Sequence, residues 1–411
     1  MKFNFLSKFI TGSKPEFELK EQIHKLMIRN RRNTDGYQYT VPSPDTYPYQ
    51  WFWDSCFHAI ILSYFDIRDA KKEVLSVLSR QFENGLIPHM IYWDREVKTT
   101  FPKIKWGKEG TSSITQPPMI AYAVFEIYKK DRDKLFLEMV YPSLYHFYRY
   151  LLTDRDPREN HLVGILNPDE SGEDNSPRFD IPLGMPARHT IEESNKKRFE
   201  LAEQNIKCDF DAPFCMKNFF WVKDVPFNSI LLQNLEAMGR IASELSYKDD
   251  AEYFKKKKEQ MEHAMRELMF EDGLFWSTYG EDYKKIKVKT WAIFAPLFAG
   301  ILSESEAKDL VKGEFYGEDF KTRFLIPTVS VKEEAFDPQG FWRGPVWVGT
   351  NWFVYKGLMN YGFRKEAEMI KESSLVLIKK SGFREYFNPK TGEGLGAHQF
   401  TWNGLVLDMG Y

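Results

Sequence analysis

The chain has 411 residues, of which 43% are hydrophobic and 28% charged, with a formal net charge of −2. Such a chain can bury a large core, and its near-neutral balance, without any block of Lys or Arg, speaks against nucleic acid or an anionic membrane as a partner. No stretch reaches the roughly 18–20 apolar residues of a membrane span.

The first ten residues carry some apolar side chains, but Asn4 and Lys8 interrupt them before a secretory core forms, so no signal peptide is expected. Three cysteines, Cys56, Cys208 and Cys215, are odd in number and set partly among apolar neighbours. They read as reduced packing thiols, which with the missing leader gives a cytoplasmic location.

Helical periodicity begins at Glu16 to Asn33, where Phe17, Leu19, Ile23, Leu26 and Met27 fall near one face. It recurs at 53–65, 69–83, 114–129, 132–152, 226–245, 249–269, 289–301, 304–312, 343–361, 363–379 and 398–408. Asp, Ser or Asn precedes several of these runs as a cap. Strand signals are short: Leu86 to Tyr92, Leu274 to Thr278 and Thr328 to Val331. The expectation is an all-α architecture in one domain, 1–411, with a less regular insertion at 156–225. The chemically rich segments precede or join helical runs. If alternate helices form an inner ring, their leading loops gather at one end and build a pocket there.

The run from Gly164 to Arg178 places Asp169, Glu170, Glu173 and Asp174 around Gly172, and Glu385 follows much later in Phe383-Arg-Glu-Tyr-Phe-Asn-Pro389. Inverting hydrolysis of a glycosidic bond needs one carboxyl to protonate the leaving oxygen and another to activate water, about 6.5–9.5 Å apart. Asp174 and Glu385 are the pair that fits. Repulsion within the cluster would hold one acid protonated. The plainer alternatives are a loop ion pair of Asp174 with Arg178, a surface pair of Glu385 with Arg384, and a calcium site in the four acids. Trp51, Trp53, Trp342, Trp347 and Trp402 are either core or stacking platforms. Each has a polar neighbour, Gln50 or Asp54, Arg343, Asn351 and Gln399, as sugar sites do. His89 reads equally as a core histidine or a donor to a sugar hydroxyl. Neither zinc-ligand spacing nor a phosphate-cradling glycine loop is present, so no metal and no nucleotide cofactor are expected.

The segments Gln50-Trp-Phe-Trp-Asp-Ser55, Pro168 to Arg178, Trp342-Arg-Gly-Pro-Val-Trp347 and Glu385 to Gly396 resemble, in order, the motifs of glycoside hydrolase family 63. The compact members that hydrolyse mannosylglycerate or glucosylglycerate look most similar, with trehalases as distant relatives. The resemblance implies an (α/α)6 barrel with short β-hairpins in its loops, Asp174 as acid and Glu385 as base. It also implies a sugar subsite at Tyr47, Trp51, Asp54, His89, Gln116, Gly172, Trp342, Gly344, Trp347 and Gln399, with Arg178 and Arg343 as orienting groups. Phe341 stands where the family commonly has tyrosine. Arg188, Arg198 and Lys207 are the basic residues among which a partner for a glycerate carboxylate is sought.

The expected activity is therefore that of an inverting, cofactor-independent α-glycosidase acting on a small glucoside or mannoside such as glucosylglycerate or mannosylglycerate. Rival readings are an oligosaccharide α-glucosidase or trehalase-like enzyme, a sugar epimerase or isomerase relying on His89 and His398, and a non-catalytic sugar-binding protein.

Overall fold

The structure, a computed structural model, describes residues 13–93 and 110–410. In chain order its α-helices are α1 (Ser13–Asn30), α2 (Phe52–Leu62), α3 (Ile67–Leu78), α4 (Ile120–Asp131), α5 (Lys134–Asp154), α6 (Ile191–Lys207), α7 (Ala212–Asn218), α8 (Val225–Glu244), α9 (Lys248–Met269), α10 (Ala295–Ala299), α11 (Glu304–Leu310), α12 (Val348–Asn360) and α13 (Arg364–Ser381). Trp291–Phe294 forms a 3-10 turn leading into α10, and Thr401–Met409 is a further 3-10 helix.

Contacts between helices define two concentric rings. α2 touches α4, α4 touches α8, α8 touches α10, α10 touches α12, α12 touches Thr401–Met409, and that segment returns to α2. The outer ring is α1, α3, α5, α9, α11 and α13, with α1 backing Thr401–Met409. This is the (α/α)6 barrel. Composition explains who sits where: every residue of α2 is buried, as a helix hydrophobic on all sides requires, whereas α9 buries a single stripe of Phe254, Met261, Ala264, Met265 and Met269.

Differences from the sequence reading have local causes. The helix expected from 114 starts at Ile120, because Pro117 and Pro118 cannot carry the helical hydrogen bonds of an interior position. The one expected from 343 starts at Val348, beyond Pro345. α1 stops at Asn30, where residues 31–34 pair with 37–40 around Asp35 and Gly36, both at positive φ, the hairpin signature of Asp-Gly. The strand expected at 86–92 shrinks to Met90–Ile91 pairing with Gln50–Trp51. Leu274–Phe275 pairs with Phe270–Glu271, and Val329 makes one isolated bridge to Thr290. The 156–225 insertion contains two helices that periodicity missed. α6 carries a full capping box between Thr190 and Glu193.

The cysteine reading needs correction. Cys208, at the C-terminal cap of α6, is bridged to Cys215 in α7, and Cys56 alone among the three is a free, buried thiol. The turn between the two helices brings the sulfurs together, which spacing alone does not reveal.

Close approach of α10 and α12 depends on a missing side chain. A Cβ on Gly357 would stand 2.6 Å from the Cβ of Leu297 and 2.7 Å from the backbone nitrogen of Phe298. Gly357→Ala is therefore expected to destabilise the ring by about 1–3 kcal/mol, measured as a lower urea midpoint with an unchanged slope.

Candidate active site

Polar and aromatic residues just before or inside the first turns of four inner segments, α2, α4, α12 and Thr401–Met409, line one solvent-open hollow of about 510 Å³. Trp53 and Asp54 come from the start of α2, Gln116 from the segment before α4, Trp347 from the cap of α12 and Trp402 from the start of Thr401–Met409. Asp169, Gly172 and Asp174 enter from the loop between α5 and α6, and Glu385 from the loop after α13. The gathering of leading loops expected from the helix order is what the ring produces.

Two buried arginines fix the acid-rich loop. Arg155 grips Glu170 with two hydrogen bonds of 2.7 Å, and Arg178 grips Glu173 with two of 3.0 Å while also donating to Asp224 at the head of α8. A third, Arg198 of α6, is shared: it donates to Asp169 at 2.5 and 3.1 Å and lies 2.6 Å from Asp174. The acids thus face guanidinium groups, not a cation cage; among the described residues no cluster of three or more His, Cys, Asp or Glu is arranged to hold a metal. Gly172 sits at φ 73°, and a Cβ there would fall 2.3 Å from the Trp53 ring, so this turn needs glycine for both conformation and space. Burial pushes the Asp174 carboxyl up to about 6; Arg198 opposes that rise and Asp169 adds to it.

Glu385 lies on a short hairpin, Arg384–Phe387 against Gly394–His398, at the position where the register slips between Arg384 and Tyr386. Such a bulge turns a side chain out of the strand alternation. The side chain of Glu385 is held at both oxygens: the Tyr47 hydroxyl donates to Oε1 at 2.6 Å and the backbone N–H of Ala397 to Oε2 at 2.7 Å. A Cβ on Gly396, at φ 64°, would meet Oε2 at 2.3 Å. Burial raises Glu385 to about 7; the bonds from Tyr47 and Ala397 oppose this, and the charge of Asp174 adds to it.

Of the other residues singled out in the sequence, Tyr47, Trp51, Asp54, Gln116, Gly172, Trp342 and Trp347 line the same hollow as Asp174 and Glu385. Trp342 and Trp347 stack face to face at 3.7 Å with 7° between their planes, and Tyr386 covers the outer side of Trp347 at 5.0 Å. Asp54 accepts from the Trp402 indole at 2.6 Å and is raised by burial to about 6. Gln116 accepts from the backbone N–H of Trp53 at 3.2 Å.

Five residues lie outside that lining. Arg178 is buried in the ion pairs just described, so it steadies the loop. Arg343 likewise braces Asp180 through bonds of 3.0 and 2.7 Å. Gly344 packs where a Cβ would meet the Asp337 carbonyl at 2.3 Å. His89 stands behind Trp51, edge to face at 5.2 Å, with Nδ1 2.6 Å from the Ser112 hydroxyl, and burial lowers it to about 4, which keeps it neutral at physiological pH. Gln399 has φ 58°, and its carbonyl accepts from Asn30 at 2.9 Å. Conversely, Pro42, Asp169, Phe341 and Phe400 join the lining without having been assigned to a sugar subsite. Arg198 was one basic residue among three; nothing in the sequence placed α6 over the acid loop.

Residues 47–403 match the family described as the mannosylglycerate hydrolase MGH1-like glycoside hydrolase domain. The chain is 34% identical over 410 residues to a mannosylglycerate hydrolase of Thermus thermophilus, covering 92% of this chain and 97% of that one. A glucosylglycerate hydrolase of Mycolicibacterium hassiacum is 27% identical over 92% of this chain and 95% of its own. The crystal structure of a GH63 mannosylglycerate hydrolase from Thermus thermophilus in complex with Tris and D-glycerate superposes with a TM-score of 0.86 at 31% identity, covering 95% of this chain and 99% of that one. The chain belongs to the mannosylglycerate hydrolase MGH1-like glycoside hydrolase family and is a glycoside hydrolase.

Proposed function

We propose that this enzyme hydrolyses an α-glycoside of glycerate, mannosylglycerate or glucosylglycerate, with inversion at C1. Asp174 protonates the glycosidic oxygen, and Glu385 removes a proton from the water that attacks the opposite face. One observation carries the reading: two carboxyls from remote segments, both shifted upward by burial, line one tryptophan-walled hollow. The bonds from Tyr47 and Ala397 leave the second lone pair of each Glu385 oxygen for a water. Trp51, Trp53 and Trp402 offer apolar surface to the sugar ring, and Asp54 an acceptor to its hydroxyls.

The choice of leaving group follows from charge. Arg198 already faces two carboxylates, Asp169 and Asp174. A glycerate carboxylate entering beside it brings a third negative charge to one guanidinium, and protonation of Asp174 is the least costly relief. An anionic aglycone thereby loads the acid with the proton it must deliver. Arg188 and Lys207, the other basic residues considered for this role, are solvent-exposed. This favours glyceryl glycosides over trehalose or neutral oligosaccharides.

Asp174→Ala and Glu385→Ala are each expected to lower kcat at least about a hundredfold, with glucosylglycerate, mannosylglycerate, trehalose and nigerose assayed in parallel. NMR observation of β-configured sugar as first product supports inversion; release of the α anomer refutes it. Because the productive state of the pair holds one proton, kcat/KM should peak between about pH 6 and 7 and decline on both sides. Tyr47→Phe removes a bond that favours ionised Glu385 and so raises its pKa; because Glu385 is the higher of the two, the alkaline limb should move to higher pH and the maximum fall, while the acidic limb moves less.

A further inference from the structure

Apart from Leu201, the α6–α7 arm does not join the main core. It packs through a separate small cluster in which Met90, Leu166, Ala202, Phe210, Met216 and Trp221 surround Cys215, with Trp51 at the edge. Its polar ties to the acid loop are Arg198, bound to Asp169 and Asp174, and Asn205, which accepts from Asn167 at 3.2 Å. Thus a helix that carries the cation beside the acid is anchored by few residues, and its C-terminal end is stapled to α7 by the Cys208–Cys215 bridge. Cys215 is fully buried, whereas Cys208 is partly exposed and gives a reductant access.

We propose that this bridge is a positioning element for Arg198 and makes the enzyme responsive to the thiol redox state. The inference rests on Asp174 being the acid. A dithiol reductant attacks the bridge through its thiolate and ends as a disulfide; two electrons and two protons pass to the sulfurs, leaving Cys208 and Cys215 as thiols. Released from the staple, the end of α6 is held only by its small apolar cluster, Leu201 and the Asn205–Asn167 bond, and Arg198 loses the fixed orientation with which it meets Asp169 and Asp174. The ring itself is untouched, since the remaining cysteine, Cys56, is a free thiol within α2. In a reducing compartment, the few disulfides found are mostly of this responsive kind.

The test compares the untreated protein, the protein reduced with dithiothreitol and the Cys208→Ser/Cys215→Ser double variant on two substrates. One is the glyceryl glycoside; the other is the α-glycosyl fluoride, whose leaving group needs no proton. Reduction should raise the titratable thiols of the denatured chain from one to three. It should lower kcat/KM on the glyceryl glycoside about tenfold, the scale of a small misplacement, and leave the fluoride within about twofold because acid assistance is not required there. Reoxidation should restore the first rate, and the double variant should sit at the reduced rate regardless of dithiothreitol. Unchanged kinetics with three thiols titrated, an equal fall on both substrates, or loss of helical circular dichroism on reduction would overturn the proposal. Asp174→Ala is the independent control: if it abolishes fluoride hydrolysis as well, the acid assignment fails, whatever the bridge does.

Discussion

The site depends on an imbalance of charge: four carboxylates in one short loop and three buried guanidinium groups to meet them. Glu170 holds Arg155 and Glu173 holds Arg178 in two-point contact, Arg178 also reaching Asp224 at the head of α8, while Asp169 and Asp174 divide Arg198. The two-point pairs are structural. Removing one partner from such a buried pair costs about 3–5 kcal/mol because the other is left charged and unsolvated, so they lock the loop on either side of Asp174. The shared pair is different in kind. A carboxylate with half a counterion changes its protonation when another anion arrives, which is what the acid role proposed for Asp174 requires.

Rigidity elsewhere serves the second carboxyl. Glu385 belongs to a hairpin tied to the strand-like Val346 by two backbone bonds of 2.8 and 2.9 Å, and Val346 adjoins the cap of α12. Glu385, tryptophan wall and inner helix are therefore one connected unit. The stacked Trp342 and Trp347 spend a face each on one another, which fixes both indoles before any sugar arrives. Preorganisation of this sort limits the reorganisation needed on binding.

Much of this was legible in the residues. The dozen helical runs of the barrel emerged from apolar spacing, and the acid-rich loop and Glu385 stood out because no turn needs so much charge. What periodicity lost was lost for physical reasons. α6 buries one face, Ser194, Arg198, Leu201, Ala202 and Asn205, but only two of these are apolar, so its stripe is too faint to register although its capping box was visible in Thr190 and Glu193. Arg178 and Arg343 were taken for ligand-orienting groups since sequence distance to a motif says nothing of which way a side chain points; in three dimensions each is consumed by an aspartate or glutamate behind the wall. The Asp35-Gly36 turn, by contrast, was there to be read and ends α1 early. Cys208 and Cys215 are a long-range problem disguised as a local one, because only the angle between α6 and α7 decides whether the sulfurs meet.

The inner ring closes where Thr401–Met409 meets α2. During synthesis, α2 leaves the ribosome hundreds of residues before its final neighbour exists, and every one of its side chains is destined for the interior. The apolar faces of α2 therefore stay unsealed until Thr401–Met409 has been made, a long interval of vulnerability to aggregation. Glu385, the carboxylate proposed to activate the water, is made only shortly before that segment, so chains cut short of it would be both sticky and inert.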